Sequence, residues 1–180
     1  MGSEMCIRDR DNGVLPGGLG SREFDDEGIP TRVNTVIERG ILKTFLYDTY
    51  TAYKEGKEST GNALRSYWSA PTPAPNNLIL KVGDCSFDEL ISDVKEGIYI
   101  VTTIGEWLSN PVSGQLNATV THGYLIKNGE LTQPIGGFSI SSNFYELIRS
   151  KVELLGKDLE NYGSSYSPPV KVSEIIVASD

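Results

Sequence analysis

This chain of 180 residues contains a single histidine, His122, and only two cysteines, Cys6 and Cys85. Two dispersed thiols cannot form the disulfide framework of a small secreted domain, so the default setting is reduced and cytoplasmic. One imidazole cannot by itself supply a zinc peptidase's ligand set. The longest apolar runs are a handful of residues, far short of a bilayer span, and no charged-then-apolar leader opens the chain. Lys and Arg are never clustered and the net charge is −8, which argues against direct nucleic-acid binding, since neutralising phosphates needs concentrated positive charge. No internal repeat and no low-complexity segment is visible. What remains, at 38% hydrophobic and 22% charged, is the composition of an ordinary globular protein with one sizeable core or two small ones.

The pattern along the chain is mostly that of strands. Thr31 to Ile37, rich in Thr, Val and Ile, precedes Glu38-Arg39-Gly40 and a second run, Ile41 to Tyr50, and together they predict a hairpin. Thr51 to Lys57 suits one or two helical turns stopped by Gly56. Ser59 to Pro75 is a long loop with Gly61 and several prolines, a length that compact domains rarely carry without a use. Leu78 to Val82 reads as a short strand. Ser86 and Glu89 have capping-box spacing, and Phe87, Leu90, Ile91 and Val94 fall on one helical face, predicting a helix over Phe87–Lys95 that ends at Gly97. Gly97 to Thr103 is the most β-prone run and predicts a buried strand. Gln115 to Lys127 leads to Asn128-Gly129, the strongest hairpin signal in the chain, with a return strand from Glu130. Ser142 to Leu155 reads as the longest helix, with Phe144, Leu147, Ile148 and Val152 on one face and Gly156 as its cap. Val170 to Ala178 reads as a closing strand. The fold class is therefore α+β: β-rich, mainly antiparallel, with two short amphipathic helices.

Two local features invite chemistry. Asp25-Asp26-Glu27 are consecutive acids whose side chains alternate in direction, so they read as turn carboxylates, or as anchors for nearby backbone N–H groups, rather than as a metal site. Ser59, Thr60, Gly61 and Asn62, with Arg65, form a candidate peptide-binding surface. Small side chains around a glycine leave backbone groups open to an extended peptide, and an arginine can meet a carboxylate. A turn that hydrogen-bonds to itself explains the same residues. Tyr67-Trp68, next along, can line a groove or pin down the loop.

Taken in order, PGGLGS (Pro16–Ser21), FDDEGIP (Phe24–Pro30), Gly40-Ile41-Leu42, ESTGN (Glu58–Asn62), GDCS (Gly83–Ser86), GIYIV (Gly97–Val101), Ser113-Gly114, GYLIKNGE (Gly123–Glu130) and EIIVA (Glu174–Ala178) resemble the C-terminal domain of the TldD/PmbA family, the modulators of DNA gyrase. The resemblance runs from Asp11 to the end, giving a domain over 11–180. Residues 1–10, MGSEMCIRDR, instead resemble a translated adapter remnant, a non-native leader standing where a natural N-terminal part is expected.

The resemblance implies a heteromeric metallopeptidase that degrades or trims unfolded peptides, associated with maturation of a peptide antibiotic, turnover of a small antitoxin and an indirect effect on gyrase. In its catalytic branch it implies a His-Glu-x-x-x-His helix and a cysteine near the C-terminus. The tail Glu160 to Pro169 has no thiol, and Cys85 opens a helix. The chain thus resembles the non-catalytic PmbA/TldE branch. That implies no catalytic residue and no metal ligand in this chain, zinc held by a TldD-like catalytic partner subunit, and a structural or substrate-channel role. The alternative is a TldD-like zinc metallopeptidase lacking its His-Glu-x-x-x-His half.

Overall fold

A computed structural model describes residues 8–39 and 41–178. They divide into two compact units: the first runs to Val82 and takes in Leu159–Pro168, and the second comprises Gly83–Asp158 and the chain from Pro169. Strands dominate both, pairing is almost entirely antiparallel and the helices are short, as the α+β reading requires. No described helix is long and apolar enough to cross a membrane.

Unit 1 is built on β1 (Arg8–Asn12), β2 (Val33–Glu38), β3 (Ile41–Leu42), β4 (Ala63–Leu64), β5 (Thr72–Pro73) and β6 (Leu78–Leu80), joined late in the chain by β12 (Glu160–Tyr162) and β13 (Ser165–Ser167). Six of these form one sheet in the order β12-β13-β6-β1-β2-β3, while β4 and β5 make a separate hairpin. β1 lies inside the sheet: Asp11 faces Asn34 on one side and Leu78 on the other. The last three residues of the adapter-like leader, Arg8–Arg10, belong to this strand, and residues 1–7 lie outside the described ones.

The hairpin expected after Thr31 forms, but its second arm stops at Leu42 instead of continuing to Tyr50. Asp48 is the reason. Its carboxylate accepts hydrogen bonds from the Thr51 N–H (2.7 Å) and hydroxyl (2.6 Å), capping a helix α1 over Thr49–Lys54. The helix therefore starts two residues before the expected Thr51 and ends before Gly56, whose φ of +63° takes the chain out of it.

Unit 2 holds β7 (Glu96–Ile104), β8 (Gln115–Lys127), β9 (Glu130–Ile135), β10 (Phe138–Asn143), β11 (Val152–Leu155), β14 (Val170–Val172) and β15 (Ile176–Ala178). β8 is the spine of the main sheet: β7 pairs along one side, and β10 and β9 share the other. Asn128 (φ +51°) and Gly129 (φ +83°) turn the β8–β9 hairpin as a type I′ pair, as their sequence predicts. A small core of Ala118, Val120 and Ile140, backed by Ile100, Phe138 and Ile175, sits on one face. β7 is a strand as expected, yet it is an edge strand rather than a buried one, with Val101 and Ile104 exposed.

The helix α2 spans Phe87–Ile91 with a complete capping box: Glu89 N–H donates to Ser86 Oγ, and Ser86 N–H donates to the Glu89 carboxylate at 2.7 Å. It ends at Ile91 instead of reaching Lys95, and Gly97 lies within β7. Removing the cap with Ser86→Ala should cost about 1 kcal/mol of unit 2 stability, read from the urea midpoint.

The long helix expected over Ser142–Leu155 forms only over Phe144–Lys151 and not beyond. Asn143 caps a single turn, α3 (Phe144–Glu146), which widens into a π-helical turn over Leu147–Lys151, and Val152–Leu155 then pairs with Val170–Val172. Of the apolar residues at helical spacing, Phe144, Leu147 and Ile148 stay in these turns, and only Val152 enters the strand, where a distant partner strand supplies the backbone bonds. Gly156 is no helix cap either. Its N–H donates to Pro169 O (2.8 Å), and a Cβ there would lie 3.1 Å from the Pro169 ring and 3.3 Å from Leu90. The tail, read as one strand, is two: β14 joins β11 and β15 joins β10.

Lys171 on β14 donates to Asp93 at 2.6 Å and lies 3.5 Å from Glu153. The hydrogen bond and charge of Lys171 hold the Asp93 carboxyl below its ordinary value, and the Ser86 backbone and hydroxyl donors do the same for Glu89. Both folded-state values are depressed, so the stabilisation is present above the ordinary carboxylate range near pH ~4 and is lost as pH falls through the lowered values. Lys171→Met should therefore flatten the acid limb of unit 2 stability, measured as urea midpoint against pH.

Candidate functional site

The glycine turn, the acidic run and the ESTGN segment converge within unit 1 on a network of buried polar side chains. Asp11 is completely buried, and its carboxylate accepts from Asn76 N–H (2.6 Å), Asn62 Nδ2 (2.6 Å) and Asn76 Nδ2 (3.2 Å). Asn62, also fully buried, accepts from Asn34 Nδ2 at 3.1 Å and donates to Ala74 O at 3.0 Å. Asn77 Oδ1 accepts from Gly20 N–H, and its Nδ2 donates to Asn12 O and Ser21 Oγ. Each donor and acceptor is matched, which is the condition for burying such groups without a large penalty.

This network explains the glycine-rich stretch. A Cβ on Gly20 would lie 1.9 Å from Asn76 O, and one on Gly18 would lie 2.9 Å from Asn77 Oδ1. The turn lies directly against the asparagine pair, and only glycine permits that approach.

The three acids separate, as their alternation predicts, and each holds a different strand of chain. Asp25, buried, accepts from Glu27, Ile29 and Ala63 N–H groups at 2.9, 2.9 and 3.0 Å. Asp26 pairs with Arg22 at 3.1 Å and accepts from Arg65 N–H at 2.7 Å. Glu27 accepts from the Thr49 N–H and hydroxyl. Arg22 in turn donates to Asn76 Oδ1 and Ala63 O, tying the acid run to the network.

The candidate peptide-binding residues fall into two groups. Thr60, Gly61 and Asn62 are buried: Thr60 Oγ1 bonds to Tyr47 backbone groups, and Gly61 holds φ +73°. Ser59 is half-buried, with its hydroxyl on Tyr47 O. Arg65 is exposed, and no described residue engages its guanidinium. Ser59 to Asn62 thus build the frame of the turn that carries Arg65 outward. Asp11, Asn34, Asn76 and Asn77 were not singled out from the sequence. Asn76-Asn77 after a proline reads as an ordinary turn, and nothing local reports that its amides point inward.

The family model for the PmbA/TldA metallopeptidase C-terminal domain matches residues 6–179. The chain belongs to the PmbA/TldD family. It is 38% identical over 160 residues to an uncharacterised protein of Methanocaldococcus jannaschii, covering 89% of this chain and 37% of that one. It is 35% identical to a TldD metalloprotease homologue of Buchnera aphidicola, covering 88% and 32%. The structure of TldE from Thermococcus kodakarensis superimposes with a TM-score of 0.84 at 28% identity, over 99% of this chain and 40% of that one. The chain spans about a third of the length of the curated relatives it matches.

A PmbA/TldD metallopeptidase implies zinc, and the donors described here do not fit it. No three His, Cys, Asp or Glu side chains converge among the described residues. His122 lies exposed on β8, its Nδ1 beside the hydroxyls of Thr102 (3.0 Å) and Thr121 (3.3 Å), which are poor zinc ligands next to thiolate or imidazole. Cys85 forms a backbone bridge with Gly156, away from any such group.

Proposed function

We propose that this chain is the C-terminal domain of a TldE/PmbA-like, non-catalytic subunit that works with a TldD-like zinc subunit in cytoplasmic proteolysis of peptides. The donor set carries the reading: one histidine flanked by hydroxyls, and a tail, Glu160 to Pro169, without a thiol where the catalytic branch is expected to carry one. In this reading zinc belongs to the partner, and the domain supplies architecture and a substrate channel. Ser59, Thr60, Gly61, Asn62 and Arg65 contribute the peptide-contacting turn, with Arg65 as its charged tip. The names of the curated relatives favour a second reading, a TldD-like metalloprotease whose His-Glu-x-x-x-His helix lies outside this segment.

Metal analysis after dialysis separates the two for this segment. The chain is expected to hold well under one zinc, to cleave no peptide alone, and to be unchanged by His122→Ala. Peptidase activity should appear only when a full-length form is co-expressed with a TldD-like subunit. One tightly held zinc per chain, lost on His122→Ala, would overturn the proposal.

A further inference from the structure

β1 presents two aspartates to one face of the unit 1 sheet, and their surroundings differ. Asp9 and Asp11 are two residues apart on the strand, so their side chains share that face. The Asp11 carboxylate is wrapped by three donors from Asn62 and Asn76. Asp9 has no such shell. Its Oδ1 is sealed from solvent without a hydrogen-bond partner, the single buried side-chain nitrogen or oxygen so placed among the described residues. Burying a polar oxygen unpaired is unfavourable, and burying a charge unpaired is more so.

The sheet beside Asp9 is apolar. Residues directly opposite in antiparallel strands carry their side chains on one face, and Asp9 lies opposite Leu80 of β6 and Ile37 of β2. Ile37 in turn lies opposite Leu42 of β3. One row across four strands thus reads Leu80, Asp9, Ile37, Leu42, with a carboxyl where its neighbours have hydrocarbon. The flanking strands bring no countercharge to it. β6 and β3 have no titratable residue, and β2 has only Glu38, which follows Ile37, alternates to the other face and lies 3.9 Å from Lys43. Arg10, on the opposite face of β1, and Lys81, next after Leu80, form no ion pair with Asp9. The group nearest on its own face of β1 is Asp11, another acid. Burial alone holds the Asp9 carboxyl above its ordinary value.

We propose that position 9 is a slot built for an apolar side chain, and that the carboxyl filling it makes the start of β1 a pH-controlled latch. Protonated, Asp9 puts a neutral group in the apolar row and the strand stays paired beside Ile37 and Leu80. Ionised, it favours an unpaired arrangement of the strand's first residues, in which the carboxylate reaches water. The folded state favours the proton, so the stabilisation is fully present below the ordinary value near ~3.9 and is lost as pH rises through the raised folded value. The latch lies two residues before Asp11, so its opening loosens the strand that anchors Asn62 and Asn76. Residues 1–10 resemble a leader foreign to the domain, and a foreign leader accounts for the mismatch.

Carboxyl-carbon NMR of the full chain, with urea midpoints of unit 1 from about pH 4 to about pH 8, tests this. Asp9 should titrate above about 3.9. Asp9→Val should unfold at a higher urea midpoint than the parent at neutral pH, and the gap should narrow as pH falls. Asp9→Asn, uncharged and of the same shape, should match the parent at the acid end and exceed it at neutral pH. Also at neutral pH, the amides that pair β1 with β2 and β6 should exchange more slowly in Asp9→Val than in the parent, while those of β8 and β10 in unit 2 stay the same. A carboxyl titrating at or below its ordinary value would overturn the proposal. So would a gap independent of pH, or an Asp9→Val chain that fails to fold or is less stable than the parent at neutral pH.

Discussion

Asp11→Ala is expected to be the most damaging single change in unit 1, costing about 3–5 kcal/mol and, with total stabilities of about 5–15 kcal/mol, leaving that unit close to unfolding. The carboxylate is fully buried and accepts from two asparagines through three bonds. Alanine removes the acceptor and strands those donors away from water, and a stranded buried donor costs more than the bond was worth. Asp11→Asn should help little, because half of the amide is a donor facing other donors. Asp26→Ala is the control. That side chain is 32% exposed, and its partly buried pairing with Arg22 and its bond from the exposed Arg65 N–H can both be replaced by water, so its loss should cost about 1–2 kcal/mol, well below Asp11→Ala. Urea titrations followed by circular dichroism check the pair; equal midpoints for Asp11→Ala and Asp26→Ala would refute the argument.

Gly61→Ala should cost about 3 kcal/mol or more. The residue sits at φ +73°, where an L side chain pays about 1–2 kcal/mol, and its Cβ would lie 2.5 Å from Pro30 O and 3.1 Å from Thr31 Cα. Backbone must move on both sides of the turn, and the Gly61 carbonyl that accepts from Asn76 Nδ2 would move with it. Gly17 has the same φ of +73° with nothing near its Cβ position, so Gly17→Ala reports the conformational term alone, about 1–2 kcal/mol. The difference between the two melting temperatures isolates the clash.

What could be read from the residues was whatever depends on near neighbours in sequence. The Asn128-Gly129 turn, the Ser86–Glu89 capping box and the β character of Gly97–Thr103 are each fixed within a few positions, and the structure contains all three. The failures lie where a remote segment decides. Val152–Leu155 is a strand because Val170–Val172 is there to pair with it, and Phe144 to Val152 carries the same spacing either way. Ile41–Leu42 ends early because Asp48 caps a helix, a role any aspartate in a turn resembles. At the candidate site, Asp25 acting as a backbone anchor was among the readings open from alternation alone. The participation of Asp11, Asn34, Asn76 and Asn77 was not, since burial of an amide leaves no trace in local pattern.

The polar interior of unit 1 also bears on how the two units respond to temperature. Every buried polar or charged residue among the described ones lies in unit 1, whereas Leu90, Ala118, Val120, Ile126, Ile140 and Leu147 are buried in unit 2. Exposing apolar surface raises the heat capacity of unfolding by about 0.45 cal/K/mol per Å², and exposing polar surface lowers it by about 0.26. Unit 1 should therefore unfold with the smaller heat-capacity increment per residue and have the flatter stability curve. Cooling would erode unit 2 first, because its apolar core is the one whose driving force fades in the cold.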